Sequence, residues 1–142
     1  MSHFLTFVLV GRGEADAARR VRELMGPYFA HDGVYASGDP RAKCDGYVIG
    51  GRYDGQLFGA KAEYGLTPAE FQERYGLDVL KDENNIRPAS EVPGGLVPYA
   101  VVTPGGAWLD CEKKATAAWE AEVKGLLRRH ADCLVVAVDC HC

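Results

Sequence analysis

The order and pattern of apolar residues predict an α+β fold, a ferredoxin-like sandwich with helices packed on one face of a mixed or antiparallel sheet. Three observations carry this expectation. The chain opens and closes with strand-like runs that are apolar on both faces, residues 4–10 and 134–138. Two stretches of helical periodicity, one starting at Glu14 and one covering residues 112–130, each carry a single apolar stripe. Between them lie short β-prone runs divided by glycine and proline turns. At 142 residues the chain fits a single globular domain, 1–142, long enough to bury roughly two-thirds of its unfolded surface.

Taken in order, Phe4-Leu5-Thr6-Phe7-Val8-Leu9-Val10 reads as a central strand covered on at least one side. Gly11 and Gly13 break it. The first helix places Ala17, Val21, Leu24 and Tyr28 on one stripe, leaves Arg19, Arg20 and Arg22 on a solvated face, and stops at Gly26-Pro27. Turn chemistry at Asp32-Gly33 and Gly38-Asp39-Pro40 flanks a short strand over 34–36. Tyr47-Val48-Ile49 then favours a pleated, half-buried surface, and Asp54-Gly55 is a hairpin signal leading to a return strand at Gln56-Leu57-Phe58. Thr67, Pro68 and Glu70 form a capping box with proline at the first helical position, Leu66 and Phe71 stand at the positions of a hydrophobic staple, and Gly76 stops that helix. Residues 81–95 are polar and rich in turn formers, the place expected for disorder or a lid. A second hairpin runs from Tyr99 to Leu109 through Pro104-Gly105-Gly106. The longest helix follows, with Trp119, Val123, Leu126, Leu127 and His130 on one stripe, and Leu134-Val135-Val136-Ala137-Val138 closes the chain as a buried strand.

The two most apolar strands are expected to sit centrally and adjacent. An antiparallel pairing then lays Ser2 and His3 beside Cys140, His141 and Cys142 at one edge of the sheet.

Composition narrows the function classes. A net charge of −4 argues against nucleic-acid binding through a global positive field, and a local route through Arg19, Arg20, Arg22 and Arg52 ranks last. No apolar run is long enough to span a bilayer. The opening apolar run has neither a basic leader nor a cleavage-site pattern, so a cytoplasmic protein is expected. Its five cysteines, Cys44, Cys111, Cys133, Cys140 and Cys142, are then expected as free thiols.

Residue chemistry concentrates in two places. In the first, Gly50 and Gly51 interrupt a strand where a β-carbon would be costly, as at a bulge, a positive-φ turn or a close approach of a ligand. Arg52 then offers a planar fork of donors suited to carboxylate or phosphate, with Asp54 on the same face if the chain stays extended. Tyr47, Gly50, Gly51, Arg52 and Asp54 are therefore the ligand-binding candidates, against the alternative of a structural bulge with Arg52 and Asp54 paired. The spacing is not that of a phosphate-binding loop.

The second place is Asp139-Cys140-His141-Cys142. Strand alternation puts Asp139 and His141 on one face and the two thiols on the other, so Cys140 and His141 do not form a dyad with each other. The residue types suit zinc, and an alternative metal set is His3, Cys44, Cys140, His141 and Cys142, although the spacing lacks the usual gap between ligating cysteines. An alternative catalytic set is Cys140 as nucleophile with His141 or His3 as base. The simplest reading is buried thiols and a histidine satisfied by Asp139 or the backbone, with no cofactor.

Several of these residues together form a wider pattern: Ser2-His3-Phe4, Met25-Gly26-Pro27-Tyr28, Lys43 to Gly55, Val102 to Trp108 and Val138-Asp139-Cys140-His141. It resembles a group of small uncharacterised proteins of bacteria and their phages. These carry a tryptophan-aspartate-aromatic-tyrosine pattern, then glycine-glycine-arginine-tryptophan, and an aspartate-cysteine-histidine ending. This chain has Cys44 and Gly46 where the group tends to have tryptophan and an aromatic, and Tyr53 for the second tryptophan. The resemblance implies a phage- or mobile-element-associated cytoplasmic protein and points to Asp45, Tyr47, Gly50, Gly51, Arg52, Asp139, Cys140 and His141; it implies no activity. The leading expectation is a module binding a protein or small molecule, and the alternative a metal-assisted or cysteine-dependent hydrolase or transferase with Arg52 as anion binder.

Overall fold

The computed structural model describes residues 3–29, 42–60, 67–77 and 81–141. Expectations that fall on Ser2, the strand at 34–36, Leu66 of the staple and Cys142 lie outside the described residues. The elements are β1 (His3–Gly11), α1 (Ala17–Met25), β2 (Gly46–Ile49), α2 (Pro68–Tyr75), β3 (Ile86–Pro88), β4 (Ala100–Val102), β5 (Trp108–Asp110), α3 (Thr116–Arg129) and β6 (Cys133–His141), with short 3-10 turns between several of them. They form a mixed α/β structure around one six-stranded sheet of order β2-β6-β1-β4-β5, with β3 also paired to β6.

The first and last strands are neighbours and antiparallel, in register from His3 opposite His141 to Gly11 opposite Cys133. Their composition explains the placement. Phe7, Val8, Leu9 and Val10 of β1 and Val135, Val136, Ala137 and Val138 of β6 are fully buried. A strand apolar on both faces is stable only where both faces are covered.

Both faces are covered, and by different helices. Leu5, Phe7 and Leu9 pack with Val101, Val135 and Ala137 against Trp119, Val123 and Leu126 of α3. Val8 and Val10 pack with Val102, Val136 and Val138 against Val21, Leu24 and Met25 of α1. The expectation of helices on one face is thereby corrected: one face of β1 alone could not bury both of its apolar sets. The parallel pairing of β1 with β4 is a further departure from a ferredoxin-like sheet, whose strands alternate in direction.

The edge beyond β6 is one strand in two pieces. β2 pairs with β6 from His141 back to Val138, Gly50 N–H donates to Ala137 O at 2.9 Å, and β3 resumes at Val136. Between the pieces the chain leaves the sheet after Gly50 and rejoins it at Ile86.

The local signals in this excursion mostly hold. Thr67 caps α2, its hydroxyl accepting from Glu70 N–H at 3.2 Å, and Gly76 ends the helix in the left-handed region. The return strand expected at Gln56-Leu57-Phe58 is instead a 3-10 turn between left-handed Gly55 and Gly59, with Leu57 buried. A tight turn serves there because Leu57 joins the core cluster under α3. Residues 81–95 are likewise no open loop: they hold a 3-10 turn with Asn84 and Asn85 buried, then β3, then a second turn with Ala89 buried. The Tyr99–Leu109 hairpin is present as β4 and β5.

Candidate functional site

The site lies on the α3 face of the sheet, where β1 begins and β6 ends. His3 and His141 are directly opposed in the antiparallel register, so their side chains emerge side by side. Their ring centroids lie 4.9 Å apart, with the ring planes inclined at 71°.

Each imidazole is held by its own carboxylate. His3 Nδ1–H donates to Asp139 Oδ1 at 2.8 Å, and His141 Nδ1–H donates to Asp45 Oδ1 at 2.7 Å. An ionised carboxylate is acceptor-only, which makes Nδ1 the donor in both pairs and leaves Nε2 as the other ring nitrogen. The pairs differ in burial. The His3 side chain is 27% exposed over an Asp139 that is 4% exposed, whereas His141 is 26% exposed beside an Asp45 that is 45% exposed.

A carboxylate as buried as Asp139 is costly unless its oxygens are occupied. His3 takes one, and Arg52 backbone N–H donates to the other, Oδ2, at 2.9 Å. The double glycine makes the second bond possible. Gly51 has φ +53°, and a β-carbon there would stand 2.7 Å from Asp139 Cβ. Gly50 has φ +80°, and its β-carbon would stand 2.8 Å from Asn85 Cγ. The glycines thus let the chain turn tightly around two polar side chains brought from elsewhere.

Asn85 then ties the excursion to the sheet edge. Its Nδ2 donates to Asp54 Oδ1 at 2.8 Å and to Lys81 O at 3.0 Å, and its Oδ1 accepts from Gly55 N–H at 3.1 Å.

The 3-10 turn Gly51–Tyr53 carries the chain from Asp139 into a cleft of about 480 Å³ beside His3. Tyr53, Tyr99, Leu96 and Trp119 supply aromatic and apolar wall, while His3, Gln56 and Lys114 supply polar groups. Trp119 is chiefly a core residue, as its helical stripe predicts: it is buried and its indole N–H donates to Pro98 O at 2.7 Å. Lys114 is engaged by Glu122 at 2.8 Å. Cys111 also lines the cleft, and burial pushes its thiol up, away from the thiolate.

Of the sequence-predicted ligand set, Gly50, Gly51 and Arg52 come to this end of the molecule, with the Arg52 side chain exposed. The expected pairing of Arg52 with Asp54 is corrected: the segment is a turn rather than an extended strand, and Asp54 accepts from Asn85. Tyr47 packs among the residues of the α1 face, beside Phe29 at a ring-centroid distance of 6.1 Å, and does not join the site.

The alternative catalytic and metal sets are divided by the sheet. Cys140 and Cys44 are fully buried on the α1 face, where Cys140 Sγ lies 3.3 Å from Thr6 Oγ1. Its hydrogen bond with Cys44 and its burial push the Cys140 thiol far up. Cys140 therefore meets neither histidine and is no nucleophile for them, and Cys44 and Cys140 cannot share an ion with His3 and His141. Among the described residues no three His, Cys, Asp or Glu side chains are gathered as a metal centre. No helix among them is long and apolar enough to cross a membrane.

Sequence reasoning missed the cleft residues Tyr53, Gln56 and Tyr99, and the structural part played by Asn85. Nothing in periodicity marks Asn85, because Asn84-Asn85 has the composition of an exposed turn. The chain matches no protein-family model, and no curated protein or solved structure matches it.

Proposed function

We propose that this protein is a binding module for a small, largely apolar or aromatic molecule that occupies the cleft beside His3. The observation that carries the reading is a histidine fixed by a buried carboxylate on the wall of a cleft of about 480 Å³. That volume falls within the range of small-molecule sites, which combine apolar walls with a few placed polar groups. Tyr53, Tyr99 and Leu96 offer the walls; His3 and Gln56 offer the polar contacts. Arg52, exposed and one residue from Tyr53, is the cation available to an anionic substituent. An association with phages or mobile elements rests on the sequence resemblance alone.

A fragment screen read by 1H–15N spectra tests this. Hits should move the amides of His3, Tyr53, Gln56 and Tyr99 together, and His3→Ala and Gln56→Ala should each weaken them by roughly tenfold, about the worth of one hydrogen bond in a binding site. Arg52→Ala should weaken anionic hits only and leave stability within about 0.5 kcal/mol, since the Arg52 main chain makes the structural contact. Hits that cluster elsewhere, or none in the cleft, would contradict the reading.

A second reading, acid–base chemistry by His3, is favoured by the Asp139 bond to Nδ1, the arrangement that orients a catalytic imidazole. It adds one expectation: a bound hit is turned over by the wild type and not by His3→Ala. Hits recovered unchanged from the wild-type protein count against it.

A further inference from the structure

The pairing of His3 with His141 has a chemistry independent of the cleft's occupant. We propose that these two histidines hold a divalent transition-metal ion, of the zinc or copper type, through their Nε2 atoms.

Distance is the first support. With a metal–nitrogen bond of about 2.0–2.1 Å and a ring centre roughly 1.1 Å behind the nitrogen, each imidazole centroid lies about 3.2 Å from a shared ion. Nitrogen–metal–nitrogen angles of about 90–110° then separate the centroids by roughly 4.5–5.2 Å. The observed separation is 4.9 Å.

Ring packing alone can give the same separation, so the second support matters more. A histidine that ligates a metal almost always donates its other ring N–H to a carboxylate or carbonyl, which fixes the tautomer and aims the free nitrogen. Here both rings are treated so, by Asp139 for His3 and by Asp45 for His141. The four residues come from the start of β1, the approach to β2 and the end of β6. A contact between two rings needs neither carboxylate.

The pair provides two protein ligands, and the described residues add no third. Two protein ligands are fewer than the three or four of a resident zinc site, so water or a donor atom of another molecule fills the remaining positions and the ion is an exchangeable one. With imidazole ligands and no thiolate, affinity should follow the order manganese below zinc below copper.

The experiment is a zinc titration of untagged protein, followed by calorimetry and by histidine ring carbon–proton spectra. The expected result is saturable binding of one ion per chain, with ring signals of His3 and His141 moving and that of His130 unmoved. His3→Ala and His141→Ala should each lower affinity at least tenfold. Asp45→Asn, at an exposed carboxylate whose loss spares the core, should lower it about tenfold, the usual effect of removing an orienting partner. Circular dichroism establishes that each variant is folded. Wild-type affinity in His141→Ala, shifts confined to other residues, or no saturable binding below about millimolar zinc would overturn the proposal.

Discussion

Gly51 and Asp139 show how much of this molecule turns on single positions. Asp139 is buried because two donors reach it, and one of them, Arg52 N–H, reaches it only because residue 51 lacks a β-carbon. An alanine there adopts a left-handed backbone at a cost of about 1–2 kcal/mol and also crowds the carboxylate. Gly51→Ala should therefore lose about 2 kcal/mol or more in denaturant unfolding. Gly46→Ala, where a β-carbon meets nothing within 4 Å, should stay within about 0.5 kcal/mol. Equal effects would mean that the turn does not fold around Asp139. The double glycine was legible as a place where a β-carbon is forbidden. What it approaches was not legible, because Asp139 is 88 positions away and only the strand register brings it there.

At the scale of elements, the pairing of β1 with β6 was legible and the covering of both their faces was misread. Each strand carries two apolar faces, and α1 and α3 each carry one stripe; two stripes and two faces are satisfied only by one helix per face. That signal was present in the residues themselves. The interrupted edge strand was not: β2 and β3 are short, and nothing local in Ile86-Arg87-Pro88 says that it continues β2 along β6. Asn85 closes that interruption with three hydrogen bonds. Asn85→Ala leaves the buried Gly55 N–H without its acceptor, and the expected loss is about 2–3 kcal/mol in thermal or denaturant unfolding. A change below about 0.5 kcal/mol would show that the excursion is held by other contacts.

Across the whole molecule, the candidate site belongs to no single segment. β1 delivers His3, β6 delivers Asp139 and His141, the approach to β2 delivers Asp45, and the turn after β2 delivers Tyr53 to the cleft. The sheet that gathers these groups also sends the thiols Cys44 and Cys140 to its other face, the division that strand alternation along Asp139-Cys140-His141 predicts. Both roles ascribed to the histidines require that each imidazole be held through Nδ1 by its carboxylate. Long-range 1H–15N spectra of the histidine side chains, recorded with the rings neutral, test this most directly. The expected result is the Nδ1–H tautomer for both His3 and His141, with Nε2 bare; the Nε2–H tautomer at either ring, the form favoured by free histidine, would contradict it.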